Sequence, residues 1–197
     1  MSQKLLIVES PSKCKTISKY LGKDYIVRPT MGHVCDLTTT GKFNLGVDLE
    51  NDFKPKYKIS PDKKDKLAAI FEAATRVDTI YLAADKDREG EAIAWHIYNE
   101  LKKKKINKTI KRITFDEITK SSLEKAINNP RDLDKHLYDA QQARRVLDRI
   151  VGFLASPFLI NIFQTKLSAG RVQSVALKLI VDRENEIKNF NPETYFN

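Results

Sequence analysis

The sequence predicts an α/β protein: a doubly wound, parallel-rich sheet over residues 1–132, followed by an α-helical segment of a second domain over residues 133–197. Three observations carry this. Apolar runs of five or six residues, the length of buried strands, recur at 4–8, 25–30, 79–83 and 110–115. Stretches with helical spacing of apolar residues lie between them, the alternation of a mostly parallel sheet. After Pro130 the pattern changes, and from Asp132 onward nothing reads as a strand.

The first strand, Lys4-Leu5-Leu6-Ile7-Val8, exits into Glu9-Ser10-Pro11-Ser12-Lys13, with Ser12 the expected N-cap of a helix over 13–21. Glu9 and Lys13 therefore stand at the carboxyl end of a strand, the edge at which open α/β sheets bind ligands. Residues 25–30 are the second strand. Met31-Gly32-His33-Val34-Cys35-Asp36-Leu37 is then a turn carrying His33, one of three histidines. Residues 38–59, polar and punctuated by Gly41, Gly46 and Pro55, read as a long surface loop. Ser60-Pro61 opens a helix to about residue 75, with Leu67, Ala68, Ile70, Phe71 and Ala74 on its apolar face.

The run Thr79-Ile80-Tyr81-Leu82-Ala83 leads into Ala84-Asp85-Lys86-Asp87-Arg88-Glu89-Gly90-Glu91-Ala92, with four carboxylates in seven residues. Carboxylates this close raise one another's pKa unless a cation neutralises them. In an extended segment alternate side chains share a side, which brings Asp85, Asp87 and Glu89 to one place. All-oxygen ligands suit Mg²⁺, which takes one or two carboxylates plus waters or phosphate oxygens. The plainer reading is a solvated acidic turn at a helix N-terminus, where carboxylates are favoured anyway. The helix from Gly90 ends in the lysine run 102–105, read as a solvated face. A strand over 110–115 and a helix over 117–127 follow.

In the helical segment, Leu137, Val146, Leu147, Ile150, Val151 and Leu154 mark the apolar face of a helix over 133–154. Arg145, Asp148 and Arg149 share its other side. They form either an intrahelical ion pair worth little or a phosphate clamp in which Asp148 orients the guanidinium. Leu167-Ser168-Ala169-Gly170-Arg171-Val172-Gln173-Ser174 opens a last helix to about residue 190. Small residues there let backbone amides approach a phosphate, and Arg171 and Gln173 add donors. An ordinary capped helix, with Ser168 at or near the cap, is the alternative.

The chain of 197 residues is long enough for one domain with a core, or one and a half. Its net charge of +9 points to an anionic partner. Two cysteines, Cys14 and Cys35, exclude a disulfide framework and a zinc site and fit a reducing compartment. The start Met1-Ser2-Gln3-Lys4 is no signal peptide. No apolar run approaches transmembrane length, so no membrane partner is expected.

Five motifs in order resemble a known family. Leu6-Ile7-Val8-Glu9-Ser10-Pro11-Ser12-Lys13, the acidic stretch through His96, Phe115-Asp116-Glu117-Ile118-Thr119, residues 140–149 and residues 167–174 are together similar to the N-terminal part of bacterial type IA DNA topoisomerases. Ser-Ala-Gly-Arg-Val-Gln-Ser favours the topoisomerase I branch over the topoisomerase III branch. The resemblance implies a Rossmann-like Toprim domain and relaxation of negatively supercoiled DNA, without ATP. A tyrosine cleaves one strand through a 5′-phosphotyrosine and the strand is then rejoined. It implies Glu9 as general acid and base, Lys13 and Arg112 at the reacting phosphate, and Mg²⁺ held by Glu9, Asp85, Asp87 and Glu89. It implies strand contacts from His33, Arg145, Asp148, Arg149, Ser168, Arg171 and Gln173, and a cytoplasmic, nucleoid-associated place of work. Cys35 departs from the family, standing where an arginine is common. None of the seven tyrosines, Tyr20, Tyr25, Tyr57, Tyr81, Tyr98, Tyr138 and Tyr195, has the family's nucleophile context. The chain is therefore expected to be a part that lacks the nucleophile, whose partners are single-stranded DNA and the missing C-terminal domains. The alternatives are a stand-alone Toprim nuclease or primase-like enzyme, in which metal-activated water replaces the tyrosine, and a non-catalytic binding module.

Overall fold

The structure, a computed structural model, describes residues 3–194. The first two residues of the N-terminal reading, Met1 and Ser2, and the last tyrosine, Tyr195, lie outside the described residues.

Four parallel strands form the main sheet: β1 (Lys4–Val8), β2 (Tyr25–Pro29), β7 (Thr79–Ala83) and β8 (Thr109–Arg112), in the order β2-β1-β7-β8. Alternate residues face opposite layers, as strand geometry requires. Leu5, Ile7, Ile80 and Leu82 pack against α2 (Lys64–Thr75) and α3 (Arg88–Lys103) through Leu67, Ile70, Ala94, Ile97 and Leu101. Leu6, Val8, Tyr81 and Ala83 face α1 (Pro11–Leu21) and α4 (Lys120–Asn128), where Ile17 and Leu123 are buried. Each fully buried aliphatic side chain contributes roughly 1.5–3 kcal/mol relative to exposure, so two filled faces hold the sheet from both sides.

Several expected boundaries shift for local reasons. The N-cap of α1 is Ser10, not Ser12: its hydroxyl accepts from the Lys13 amide, and Pro11 occupies the first helical position. Pro61 begins a short 3-10 turn rather than α2 itself. Strand β8 ends at Arg112, and α4 starts only after Thr119, whose hydroxyl caps the Ser122 amide.

The larger correction is at residues 38–59. They are not one long loop. β3 (Cys35–Leu37) pairs antiparallel with β6 (Tyr57–Ile59), and β4 (Val47–Asp48) pairs with β5 (Lys54–Pro55). Strands of two or three residues leave too short an alternation to read. The ribbons are held by a small core of Leu37, Leu45 and Val47 closed by Val146 of α5 (Lys135–Phe163).

Helix α5 runs nine residues beyond the expected end at 154, through Pro157, which removes one backbone hydrogen bond without ending the helix. By length and composition α5 is also apolar enough to cross a membrane, correcting the expectation that nothing approached that length. The charged pair Asp148-Arg149 and the polar Ser156 and Asn161 interrupt the run in the sequence. Most large apolar side chains of its second half, among them Phe158, Ile162 and Phe163, are exposed, as are Val172, Leu177 and Ile180 of α6 (Arg171–Lys188).

Helices α3 and α5 meet through an aromatic cluster. Trp95 stacks on Tyr138 with centroids 5.0 Å apart, and His96 lies 4.7 Å from Tyr57 and 5.9 Å from Tyr138. His96 is buried with neither ring nitrogen hydrogen-bonded. Burial, and then the nearby positive groups, push its pKa from 6.5 down to about 4. The unfolded chain thus takes up this proton first as pH falls, so His96 favours folding fully above pH 6.5 and progressively less toward pH 4. The expected loss across that window is on the order of 3 kcal/mol. Urea unfolding should show this slope in the native chain and a flatter profile in His96→Phe. An unchanged slope in the variant would assign the proton uptake to another group.

Candidate functional site

Val8 pairs with Ala83 in parallel register, so Glu9 and the Ala84-Asp85 turn leave the sheet side by side at its carboxyl edge. The strand order reverses direction between β1 and β7, which makes this the topological switch point where α/β sheets open a ligand crevice. Burial, and then the neighbouring Asp85 carboxylate, raise the Glu9 pKa above the usual carboxylate value, with Lys13 opposing. Lys13, in the first turn of α1, forms an ion pair with Asp85 Oδ1.

The acidic residues do not all converge as simple alternation implied. Helix α3 begins at Arg88, so the extended geometry ends at Asp87. Asp87 is the N-cap, its Oδ1 accepting from the Gly90 amide at 2.7 Å. Glu89, two residues on, points away: its Oε2 accepts from Gln141 Nε2 at 3.0 Å and lies 3.1 Å from His33 Nε2. Asp85 lines a cleft with Lys13, Lys86 and Asp116, whereas Glu89 lines another with the arginines of α5. Among the described residues, no group of three or more His, Cys, Asp or Glu side chains is arranged as a metal cage.

Arg112 corrects the sequence reading most sharply. It is fully buried and touches no open cleft. Its Nη1 donates to the carbonyls of Leu82, Ala84 and Ile113, its Nη2 to the Asp85 carbonyl and its Nε to Glu91. It holds the acidic turn from beneath and is not placed to touch a phosphate. Cys35 is likewise buried, with its thiol pushed up to about 11 by burial and then Glu100.

The second cleft, about 420 Å³, is lined by residues of α5 together with Asp36 and Glu89. Arg145 and Arg149 both reach Asp36 Oδ1, at 2.7 and 3.5 Å, rather than Asp148. Burial raises the Asp36 pKa, but the Arg145 hydrogen bond and charge outweigh it and leave it lowered. Arg149 Nη1 is buried without a partner, and the guanidinium lies 4.7 Å over the Phe153 ring. Asp148 instead receives Arg171, from Nε and from Nη2 at 2.9 Å. Asp148 therefore orients an arginine on α6 rather than Arg145 or Arg149, with Arg144 of its own helix a looser partner at 3.8 Å. Gly170, not Ser168, is the N-cap of α6; Ser168 Oγ accepts from Gln173 Nε2 at 3.3 Å. His33, Arg145, Asp148 and Arg149 are thus brought together around Glu89 and Asp36, with Arg171 joined through Asp148.

Residues 4–118 match the Toprim domain family and residues 132–197 the DNA topoisomerase family. The structure of full-length topoisomerase I from Thermotoga maritima superposes with a TM-score of 0.83 at 46% identity, over 97% of this chain and 32% of that one. The chain belongs to the bacterial type IA DNA topoisomerase family. It spans about a third of the length of the Thermotoga topoisomerase. The stand-alone nuclease or primase-like alternative is not favoured, because the topoisomerase match continues through α5 and α6.

The Toprim domain is generally a divalent-metal-binding domain. The donor set is compatible with such an ion: Asp85 and Asp87 carry carboxylate oxygens close enough to Glu9 to add to the rise in its pKa, which comes first from burial. Four residues that hold this candidate site together escaped the sequence reading: Asp36, Gln141, Glu91 and Arg131. Each acts through a partner at least 40 residues away, a separation at which local spacing carries no signal.

Gly90 closes against the turn. A Cβ there would stand 2.2 Å from the Asp85 carbonyl oxygen and 2.7 Å from its amide nitrogen. Gly90→Ala should therefore cost roughly 1–3 kcal/mol through overpacking against backbone, read as a lower urea midpoint. Unchanged stability would mean that the turn has room to move.

Proposed function

We propose that this chain is the Toprim and strand-guiding part of a topoisomerase that relaxes negatively supercoiled DNA. The reaction is transient cleavage of one strand through a 5′-phosphotyrosine, with the tyrosine supplied from outside these residues. Residues 1–132 form the metal-binding domain and residues 133–197 the helical part of the single-strand-binding domain. The observation that carries this reading is the placement of Glu9, Lys13 and Asp85 at the sheet's switch point beside an arginine-lined cleft on α5.

The geometry supports a role for each residue. Attack by the tyrosine oxygen forms the bond to phosphorus, gives up the phenolic proton to solvent and breaks the bond to the 3′-oxygen, which needs a proton as it leaves. Glu9, whose pKa is raised by burial and by Asp85, suits that task and takes the proton back on religation, when the departing tyrosine oxygen is reprotonated from solvent. Lys13 places an ammonium where phosphate charge develops. Asp85 and Asp87 are the carboxylates assigned to Mg²⁺, which when bound supplies positive charge at the phosphate. Glu89, tied to His33 and Gln141, borders the strand cleft and lies outside the inner ligand pair. The cleft arginines take the strand, with phosphates displacing Asp36 from Arg145 and Arg149. The work takes place at the nucleoid in the cytoplasm.

The deciding experiment is relaxation of negatively supercoiled plasmid with Mg²⁺, read as topoisomers on a gel. The chain alone should leave the plasmid unchanged, and the same assay with the remaining domains joined should give topoisomers. Topoisomers from the chain alone would mean that one of its own tyrosines is the nucleophile.

Binding of a single-stranded oligonucleotide should weaken with salt at a slope of about −0.7 per phosphate neutralised. Arg145→Ala should lower that affinity more than Lys103→Ala, because Lys103 pairs with Glu100 away from the cleft. Salt-independent binding, or equal losses from both variants, would remove the cleft from the strand path.

A further inference from the structure

The least expected carboxylate in the chain is Glu91. A glutamate in the first turn of a helix is normally solvated and favoured by the helix dipole. Glu91 is instead fully buried, and both its oxygens are used twice. Oε2 accepts from Arg112 Nε at 3.1 Å and from Arg131 Nη2 at 2.6 Å. Oε1 accepts from Arg131 Nη1 at 3.3 Å and from the backbone amide of Asp134 at 2.7 Å. Burial alone would raise its pKa, yet the hydrogen bonds from Arg131, Asp134 and Arg112 outweigh that and leave it lowered, so the group is ionised.

These contacts lead in two directions. Through Arg112 they reach the carbonyls of Ala84 and Asp85, the peptide groups that aim the acidic turn. Through Asp134 they reach the start of α5, because Asp134 is its N-cap and accepts from the amides of His136 and Leu137 at 2.9 and 3.1 Å. A counter-ion for Arg112 alone would need only the first direction. The second ties the carboxylate to the helix that carries Gln141, Arg145 and Arg149.

We propose that Glu91 is a positioning residue that sets the acidic metal-binding turn and the strand-binding helix α5 in one register, so that a single buried carboxylate aligns both halves of the site. This rests on the function proposed above. Glu91 touches neither metal nor strand. It acts on the metal through Arg112 and on the strand through Asp134 and Arg131.

The test uses the 197-residue chain as native protein, Glu91→Gln and Arg131→Gln. The Arg131 side chain is 37% exposed and supplies two of the three hydrogen bonds that Glu91 receives from the chain leading into α5, so its loss loosens that arm while leaving the Arg112 pair and the Asp134 amide in place. Circular dichroism and emission from the single tryptophan, Trp95, stacked on Tyr138, confirm folding at a temperature below each melting point. Mg²⁺ affinity is then measured by calorimetry, and affinity for a fluorescent oligothymidylate by anisotropy without metal. A merely structural role would lower the melting temperature and leave the affinities of the folded protein alone. Glu91→Gln should weaken both by about fivefold or more. Arg131→Gln should weaken the oligonucleotide by about threefold or more, with Mg²⁺ affinity held within about twofold. Folded Glu91→Gln with both affinities at native values would overturn the proposal. If Glu91→Gln does not fold, Arg131→Gln decides, and native oligonucleotide affinity there overturns it equally. A native chain that binds neither Mg²⁺ nor oligonucleotide would remove the proposed function, and the positioning role with it.

Discussion

A guanidinium with no solvent exposure lies directly beneath the acidic turn, and the geometry of the site depends on it. Burying a charge costs several kcal/mol unless partners replace water. Arg112 meets that cost with carbonyls from Leu82, Ala84, Asp85 and Ile113 and with the Glu91 carboxylate. Those carbonyls must point inward to do so. The backbone that leaves β7 therefore turns its oxygens down and presents the Asp85 and Asp87 side chains outward. Gly90 completes the constraint from the other side, where the start of α3 approaches the Asp85 peptide too closely for any side chain.

With the turn fixed, the sheet decides what stands opposite it. Parallel pairing of β1 with β7 aligns Val8 with Ala83, and the next residues, Glu9 and Ala84, emerge as neighbours. Glu9 then feels the Asp85 charge, and Lys13 on the following helix balances it. Glu9 would be solvated and ordinary on an isolated turn. Its raised pKa comes first from burial and then from sharing one edge of the sheet with Asp85.

The net charge of +9 is not spread evenly over the molecule's chemistry. Around the cleft each arginine already has an acidic neighbour: Asp36 for Arg145 and Arg149, Asp148 for Arg171. These groups are partly exposed, and such pairs are individually weak. They hold the guanidinium groups in ordered positions without locking them, which suits a surface that must exchange an internal carboxylate for a phosphate. Arg149 goes further, with one nitrogen buried and unmatched beside the cleft.

The sequence by itself determined the layers and the chemistry at each strand end. The apolar runs at β1, β2 and β7 and the helical spacing of α2 and α3 are local patterns, and the acidic stretch and Glu9-Ser10-Pro11-Ser12-Lys13 are local motifs. Their order along the chain was enough to indicate the family. Tertiary structure alone decided which charged groups meet. Arg112 looks like any strand-end arginine until the packing of β7, β8 and α3 encloses it. Asp148 stands one turn from Arg145 on the same helix but pairs with Arg171, 23 residues away. The ribbon over residues 38–59 has strands too short for periodicity to register and is held by Val146 from a distant helix. Hydrophobic period is a property of neighbouring residues and can be read in one dimension. Ion pairing and burial depend on distances through space, and only the folded chain sets those.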